Sequence, residues 1–247
     1  MNVQRIPAVI IQTPNSDRFR PLFDVISTSD ILEPILLTAT MGDSLIVIGA
    51  GAAEEEQSKY GRVLSQNERA CAISHSNARK IIAASSNGGI IFEDDARVID
   101  LTYLETSVLT FLAARLHSSS ALGLLDYSAR TVTNSITNCQ LKFQRLLAET
   151  PLAVATAITP AAAKSMLHSA AASSQTADWP KSDCRFFVMS RGCVLHGDST
   201  SGTTIGDPSL RVASSNSAPL SPAGLKSRIH RALQKLDTFI ISRLQSK

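Results

Sequence analysis

The sequence predicts a globular α/β domain in which helices cover a buried β-sheet. Three observations support this fold class. The β-branched run at residues 8–11 ends in a Thr-Pro-Asn-Ser loop, a capped helix near residue 66 leads through two glycines into a second apolar run, and residues 151–158 lead into another helix start. Strands alternating with helices in this way are typical of α/β proteins.

Length and composition are consistent with one full-sized domain and an appendage. The chain has 247 residues, of which 44% are hydrophobic and 18% charged, and its formal net charge is +3. This composition excludes a wholly disordered chain, and the small charge gives no reason to expect a nucleic-acid partner. We expect a domain over residues 1–200, a Ser/Thr/Gly/Pro-rich linker over 201–220 and a helix over 221–247.

Targeting signals are weak. No apolar run reaches the roughly 18 residues of a spanning helix, and no secretory signal pattern is present, so a cytoplasmic location is expected. The four cysteines are widely spaced and lack zinc-finger spacing. They are expected to be free thiols.

The first strand is predicted at residues 8–11 and a second at residues 44–48. The second runs into Gly49-Ala50-Gly51, which superficially matches a dinucleotide-binding turn. That fingerprint also needs an acidic residue about 20 positions later, where this chain has Arg69 and its neighbours. A flexible turn is the favoured interpretation.

A capping box predicts the best-defined helix. Ser65 and Glu68 have the spacing at which each side chain bonds to the other's backbone N–H, so a helix should begin at Gln66 and run to about Ala84. The segment 87–89, Asn-Gly-Gly, then ends it, and the apolar run at residues 90–92 is predicted as a buried strand.

An acidic cluster, Glu93-Asp94-Asp95, follows that strand directly. Parallel sheets bind ligands beyond the carboxyl ends of their strands, and alternation along a strand would place Glu93 and Asp95 on one side and Asp94 on the other. The two carboxylates could then hold a hard cation such as Mg²⁺ or Mn²⁺. A solvated acidic turn is the alternative.

Further strands are predicted at residues 121–125 and 151–158, and a helix capped by Thr159 should continue to about residue 167. The segment 221–247 carries apolar residues at helical spacing and a basic opposite face. Such a helix could dock on its own domain or lie on an anionic membrane surface.

Two linked motifs resemble glycosyltransferase family 25, the lipopolysaccharide-type sugar transferases. Residues 64–75 read LSQNERACAISH and residues 90–96 read IIFEDDA, in the order and spacing of that family. Weaker matches are Asn15-Ser16-Asp17-Arg18, residues 153–167 and Ala177-Asp178-Trp179. The resemblance covers about residues 6–196.

The resemblance implies a GT-A-like mixed sheet and dependence on Mn²⁺ or Mg²⁺. It also implies inverting transfer of galactose or glucose from a UDP-sugar to a lipopolysaccharide-type or glycolipid acceptor. The basic segment 221–247 could then make peripheral contact with the inner face of the cytoplasmic membrane. Glu93, Asp95 and His196 would bind the metal. The donor would contact Arg18, His75 and Asp94, and Asp178 would be the catalytic base.

Each role has a structural alternative. His75 on a helix and Arg18 in a loop have ordinary structural uses, and Asp178 could cap a helix. Two other functions remain open at the level of sequence. One is a Mg²⁺-dependent phosphohydrolase or phosphotransferase using the same carboxylates, and the other is a non-catalytic scaffold that binds nucleotide sugars.

Overall fold

The computed structural model describes residues 5–42, 51–60, 62–114, 119–124, 132–138, 141–146, 154–168, 176–177, 184–189 and 191–197. The helices are α1 (Arg20–Ser27), α2 (Ala52–Tyr60), α3 (Gln66–Ala84), α4 (Leu101–Ala114) and α5 (Pro160–His168). The strands are β1 (Ile6–Gln12), β2 (Leu32–Thr38), β3 (Gly89–Glu93), β4 (Ala96–Val98), β5 (Ser120–Gly123), β6 (Val132–Asn138), β7 (Leu141–Leu146), β8 (Ala155–Ile158), β9 (Arg185–Met189) and β10 (Val194–His196).

Eight of these strands form a mixed sheet in the order β2-β1-β3-β8-β5-β9-β7-β6. Strand β1 pairs in parallel with both β2 and β3, β5 pairs in parallel with β9, and β8 runs antiparallel between β3 and β5. Of the eight, β7 and β8 run against the direction that the other six share. The predicted α/β class is therefore confirmed, with a mixed rather than wholly parallel sheet.

Helices cover both faces of the sheet because β1 and β3 are apolar on both sides. Ile10 and Phe92 face a core that includes Leu22 of α1 and Phe111 of α4. On the other face, Ile91 packs in a second core with α3 and α5. Burial on both faces explains why these strands are continuous apolar runs instead of alternating ones.

The capping box at the start of α3 is present. The Glu68 backbone N–H donates to Ser65 Oγ (3.3 Å), and the Ser65 N–H donates to the Glu68 carboxylate (2.9 Å). The helix spans the predicted residues. Burial alone would raise the pKa of Glu68, but hydrogen bonds from Arg62 and from the Ser65 backbone, with the charge of Arg62, lower it to about 2.

The later elements agree with the sequence in part. Thr159 accepts a hydrogen bond from the Ala162 N–H (3.2 Å) at the start of α5, as predicted. Strand β5 is close to its predicted span. Strand β8 begins at Ala155, later than the predicted start at residue 151, and ends at Ile158 as predicted.

Two predicted elements, the strand at residues 44–48 and the helix at residues 221–247, lie outside the described residues. Nine of the observed elements were not predicted: α1, α2, α4, β2, β4, β6, β7, β9 and β10. Glu33 and Pro34 interrupt the apolar pattern of β2, and the strand tolerates Pro34 because it lies at the edge of the sheet, with no ladder partner on one side among the described strands. Over the described ranges, no helix is long and apolar enough to cross a membrane.

Candidate active site

A cleft lies where β1, β2 and β3 end, under the first half of α3. Its cavity volume is about 160 Å³, smaller than the roughly 300–1,000 Å³ of pockets that enclose a whole drug-sized ligand. Thr13 follows β1, Thr40 follows β2, and the acidic cluster follows β3. The carboxyl ends of parallel strands thus form a site, as expected for α/β sheets.

Asp95 occupies an environment that disfavours its charge. Burial and the neighbouring negative charge of Glu93 raise the pKa of its carboxyl, against the opposing effect of His196 and Arg18. Its Oδ2 atom accepts a hydrogen bond from Arg18 Nη2 (3.0 Å). Its Oδ1 atom is buried and has no hydrogen-bond partner among the residues that the structure describes.

His196 approaches the same carboxylate from β10. The antiparallel pairing of β10 with β4 places His196 opposite Ala96, the residue after Asp95. Its Nδ1 lies 2.8 Å from the Gly197 carbonyl oxygen, which can only accept, so Nδ1 carries the hydrogen. In the neutral ring Nε2, 3.5 Å from Asp95 Oδ2, therefore presents a lone pair to a carboxylate. A cation between the two groups would convert this repulsion into attraction.

Gly197 allows this close approach. Its N–H donates to the Asp95 carbonyl oxygen (2.7 Å), and a Cβ at position 197 would lie 2.5 Å from that oxygen. Contacts this short are essentially unknown for real Cβ atoms. The position therefore needs glycine to keep His196 beside Asp95.

Glu93 is held by α3. Its Oε1 atom lies 3.1 Å from Nε2 of the buried His75. Burial alone would raise the pKa of Glu93, but the His75 hydrogen bond and the positive charges nearby lower it overall. Cys71, one helical turn before His75, lies beside this pair.

Asp94 faces the cleft, which corrects the prediction that it points away from its neighbours. The strand ends at Glu93, and residues 94 and 95 form a turn in which side-chain alternation no longer applies. Asp94 Oδ2 accepts a hydrogen bond from the Thr13 N–H (3.2 Å), and Oδ1 lies 3.8 Å from Arg18 Nη2.

The structure brings together most of the residues predicted from the sequence. Six of them line the cleft: Arg18, His75, Glu93, Asp94, Asp95 and His196. Asp178 and Trp179 lie outside the described residues. The carbonyl of Ala177, directly before them, accepts a hydrogen bond from Arg79 of α3 (2.9 Å).

Sequence reasoning missed Cys71 and Ser74 as lining residues. Ser74 Oγ accepts from the Thr40 N–H (2.8 Å) and donates to the Ala70 carbonyl (2.8 Å), so it joins the end of β2 to α3. The spacing of Cys71 and His75, four residues apart on a predicted helix, was the available signal for one shared face.

No protein-family model matches this sequence, and a search of curated proteins found no significant match. The chemistry of the cleft must therefore be judged from its own side chains. Three carboxylates supply the oxygen ligands that Mg²⁺ and Mn²⁺ prefer, His196 adds a nitrogen atom beside them, and Arg18 offers a guanidinium suited to phosphate oxygens.

Proposed function

We propose that this chain is a metal-dependent, inverting glycosyltransferase that moves galactose or glucose from a UDP-sugar to a saccharide acceptor of the lipopolysaccharide type. The cleft at the ends of β1, β2 and β3 is the donor site in this proposal. Its support is the order of motifs along the chain, a mixed sheet compatible with a GT-A-like fold, and a cluster of carboxylates at the sheet edge.

The environment of Asp95 is the observation that carries the proposal. The Oδ1 atom of this carboxylate is buried and has no hydrogen-bond partner among the described residues, which leaves a ligand oxygen available to a cation, and His196 Nε2 lies 3.5 Å from the Oδ2 atom. The residues thus fit a divalent cation. Asp95 and His196 would hold it, with Glu93 on the same wall of the cleft.

Bound there, Mn²⁺ or Mg²⁺ supplies positive charge that offsets the charge developing on the departing diphosphate. Arg18 lines the same cleft, with its guanidinium beside Asp94 and Asp95. It is proposed to make a second contact with the diphosphate bound there. Asp94, fixed by the Thr13 N–H, and His75 provide polar contacts for the donor's ribose and sugar.

Inversion needs a base that removes the acceptor hydroxyl's proton opposite the leaving group. Asp178 is the proposed base. The basic face of residues 221–247 is proposed to hold the enzyme at the inner surface of the cytoplasmic membrane, where a glycolipid acceptor would be available.

A release assay tests the proposal. UDP-galactose or UDP-glucose is incubated with the protein, Mn²⁺ and lipopolysaccharide-core oligosaccharides, and free UDP and glycosylated product are measured. We expect Mn²⁺-dependent release that Asp95→Asn abolishes and Asp24→Asn retains, because Asp24 is an exposed aspartate of α1 that does not line the cleft.

Two results would overturn the proposal. One is release of inorganic phosphate in place of sugar transfer, which would indicate a phosphohydrolase. The other is donor binding without turnover by every hexose donor and acceptor pair tested, which would indicate a scaffold.

A further inference from the structure

A second group of metal-ligand atoms lies in the same cleft, where the first half of α3 meets the end of β3. Cys71 Sγ, a ring nitrogen of His75 and a carboxylate oxygen of Glu93 all lie within 4.8 Å of one another. His75 is buried, whereas Cys71 and Glu93 are partly exposed. This group differs from the Asp95 site in its chemistry, since it contains a thiol.

The positions of the three side chains are fixed by regular structure. Cys71 and His75 stand one turn apart on α3, and Glu93 is the last residue of β3. The capping box fixes the start of α3, and α3 packs on β1 and β3 through Ala78 and Ile82. Ligands on packed helices and strands keep their geometry better than ligands on loops.

The distances require little movement. Zinc bonds of about 2.0–2.3 Å in a tetrahedral site place these ligand atoms about 3.3–3.5 Å apart. The His75 and Glu93 atoms already lie 3.1 Å apart, and Cys71 Sγ lies within 4.8 Å of the other two ligand atoms, so Sγ is the atom that must approach. The fourth position faces the cleft, to which all three residues contribute.

We propose that Cys71, His75 and Glu93 form a Zn²⁺ site with one open coordination position. A thiolate, an imidazole and a carboxylate are ligands that zinc accepts together, whereas Mg²⁺ and Mn²⁺ prefer oxygen ligands. On binding, the Cys71 thiol would release its proton to solvent, and His75 would coordinate as the neutral ring through Nε2, with its hydrogen carried on Nδ1.

The zinc site shares Glu93 with the cation site of the proposed transferase. Zn²⁺ bound to Glu93 would occupy a carboxylate that the Asp95 site also uses, so Zn²⁺ should inhibit the Mn²⁺-dependent reaction. This consequence rests on the proposed function. The binding of zinc itself does not, because Asp95 and His196 are not among its ligands.

The test uses Zn²⁺ and Co²⁺ alone with the reduced full-length chain. Calorimetry should give a Zn²⁺-binding step whose affinity is more than about 100-fold weaker in Cys71→Ser. Co²⁺ should give the near-ultraviolet absorption band of cobalt–thiolate bonds in the wild type and not in Cys71→Ser. Thermal denaturation of metal-free Cys71→Ser confirms that the variant is folded.

Two matched variants should retain both signals. Cys184→Ser removes the thiol of the residue directly before β9, where burial raises the thiol pKa to about 12. Asp95→Asn removes a ligand of the other cation site and none of the zinc ligands. The proposal is overturned if Co²⁺ gives no thiolate band, if the band survives in Cys71→Ser, or if zinc affinity is the same in that variant. Zinc binding with no binding of UDP would contradict the transferase and leave the zinc site standing.

Discussion

Asp95 is a residue whose surroundings disfavour the ionised form of its carboxyl group in the metal-free protein. Its pKa is raised by burial first and by Glu93 second, so the ionised carboxylate is less stable here than in water. Residues that serve ligand binding are often placed at such a cost to stability. The cost gives a direct prediction.

Replacing Asp95 with asparagine should stabilise the metal-free protein. The variant removes a charge that its surroundings disfavour, so its Tm in the absence of metal should be higher than that of the wild type. Thermal denaturation in EDTA measures it, with Asp24→Asn as the control. A lower Tm for Asp95→Asn in EDTA would show that Asp95 is chiefly a structural ion-pair partner of Arg18.

At the residue scale, the sequence was most informative about site residues that are adjacent along the chain. Glu93, Asp94 and Asp95 are adjacent, so their meeting at a strand end could be predicted from sequence. The direction of Asp94 could not, because it depends on the strand ending at Glu93. Cys71 was missed since its proximity to Glu93 arises only from the packing of α3 on β3.

At the scale of elements, the capping box links the pH dependence of stability to α3. The folded-state pKa of Glu68 is about 2, against an ordinary value of 4.5. A lowered carboxyl pKa contributes stability above the unfolded-state value, and that contribution is lost as the pH falls from about 4.5 to about 2.

Glu68→Gln should therefore destabilise the protein at pH 7 by about 1–2 kcal/mol, through loss of the Arg62 ion pair and part of the cap. The deficit relative to the wild type should shrink as the pH falls through that window. Denaturant unfolding at several pH values measures it, with Glu33→Gln on the exposed edge strand as the control. A deficit that does not change with pH would contradict the assignment.

A buried ion pair joins α2 to α3. Arg69 donates hydrogen bonds from Nη1 and Nη2 to the two carboxylate oxygens of Glu56, the Nη2 bond at 2.7 Å, and Glu56 also accepts from the Leu64 N–H (2.9 Å). Both side chains are almost fully buried. Removal of one partner leaves an uncompensated charge in the interior, which is costly.

Arg69→Met should destabilise the protein by about 3–5 kcal/mol because it strands the Glu56 carboxylate. The double variant Glu56→Gln/Arg69→Met should recover part of that loss, since glutamine can still accept from the Leu64 N–H without carrying a charge. Denaturant unfolding of both variants gives the comparison. A double variant less stable than Arg69→Met alone would contradict this explanation.

Prediction of elements succeeded where local signals were strong. A capping box, a glycine stop and continuous apolar runs defined α3, β3 and α5 closely. Helix α4 was not predicted because it has few local signals and is apolar on average. The antiparallel position of β8 between β3 and β5 depends on tertiary packing and could not be predicted from the four residues of the strand.

At the scale of the whole molecule, the cleft and the segment 221–247 have separate proposed roles. The cleft residues described above all lie between residues 11 and 196. We expect a chain truncated after residue 220 to keep cation and nucleotide binding but to lose contact with anionic vesicles, because the basic residues of that segment would be removed.

Sedimentation with vesicles measures this difference. The full chain should pellet with vesicles that contain anionic lipid and remain in the supernatant with wholly zwitterionic ones, whereas the truncated chain should remain in the supernatant with both. Equal pelleting of the two chains would contradict membrane contact by residues 221–247.

The central claim is that a divalent cation at Asp95 enables the cleft to bind a nucleoside diphosphate. The most direct measurement is calorimetric titration of UDP into the protein with Mn²⁺ and then with EDTA, repeated for Asp95→Asn. The account predicts binding that requires Mn²⁺ and is lost in the variant. UDP binding that is absent with Mn²⁺, or is unchanged in EDTA or in Asp95→Asn, would contradict it.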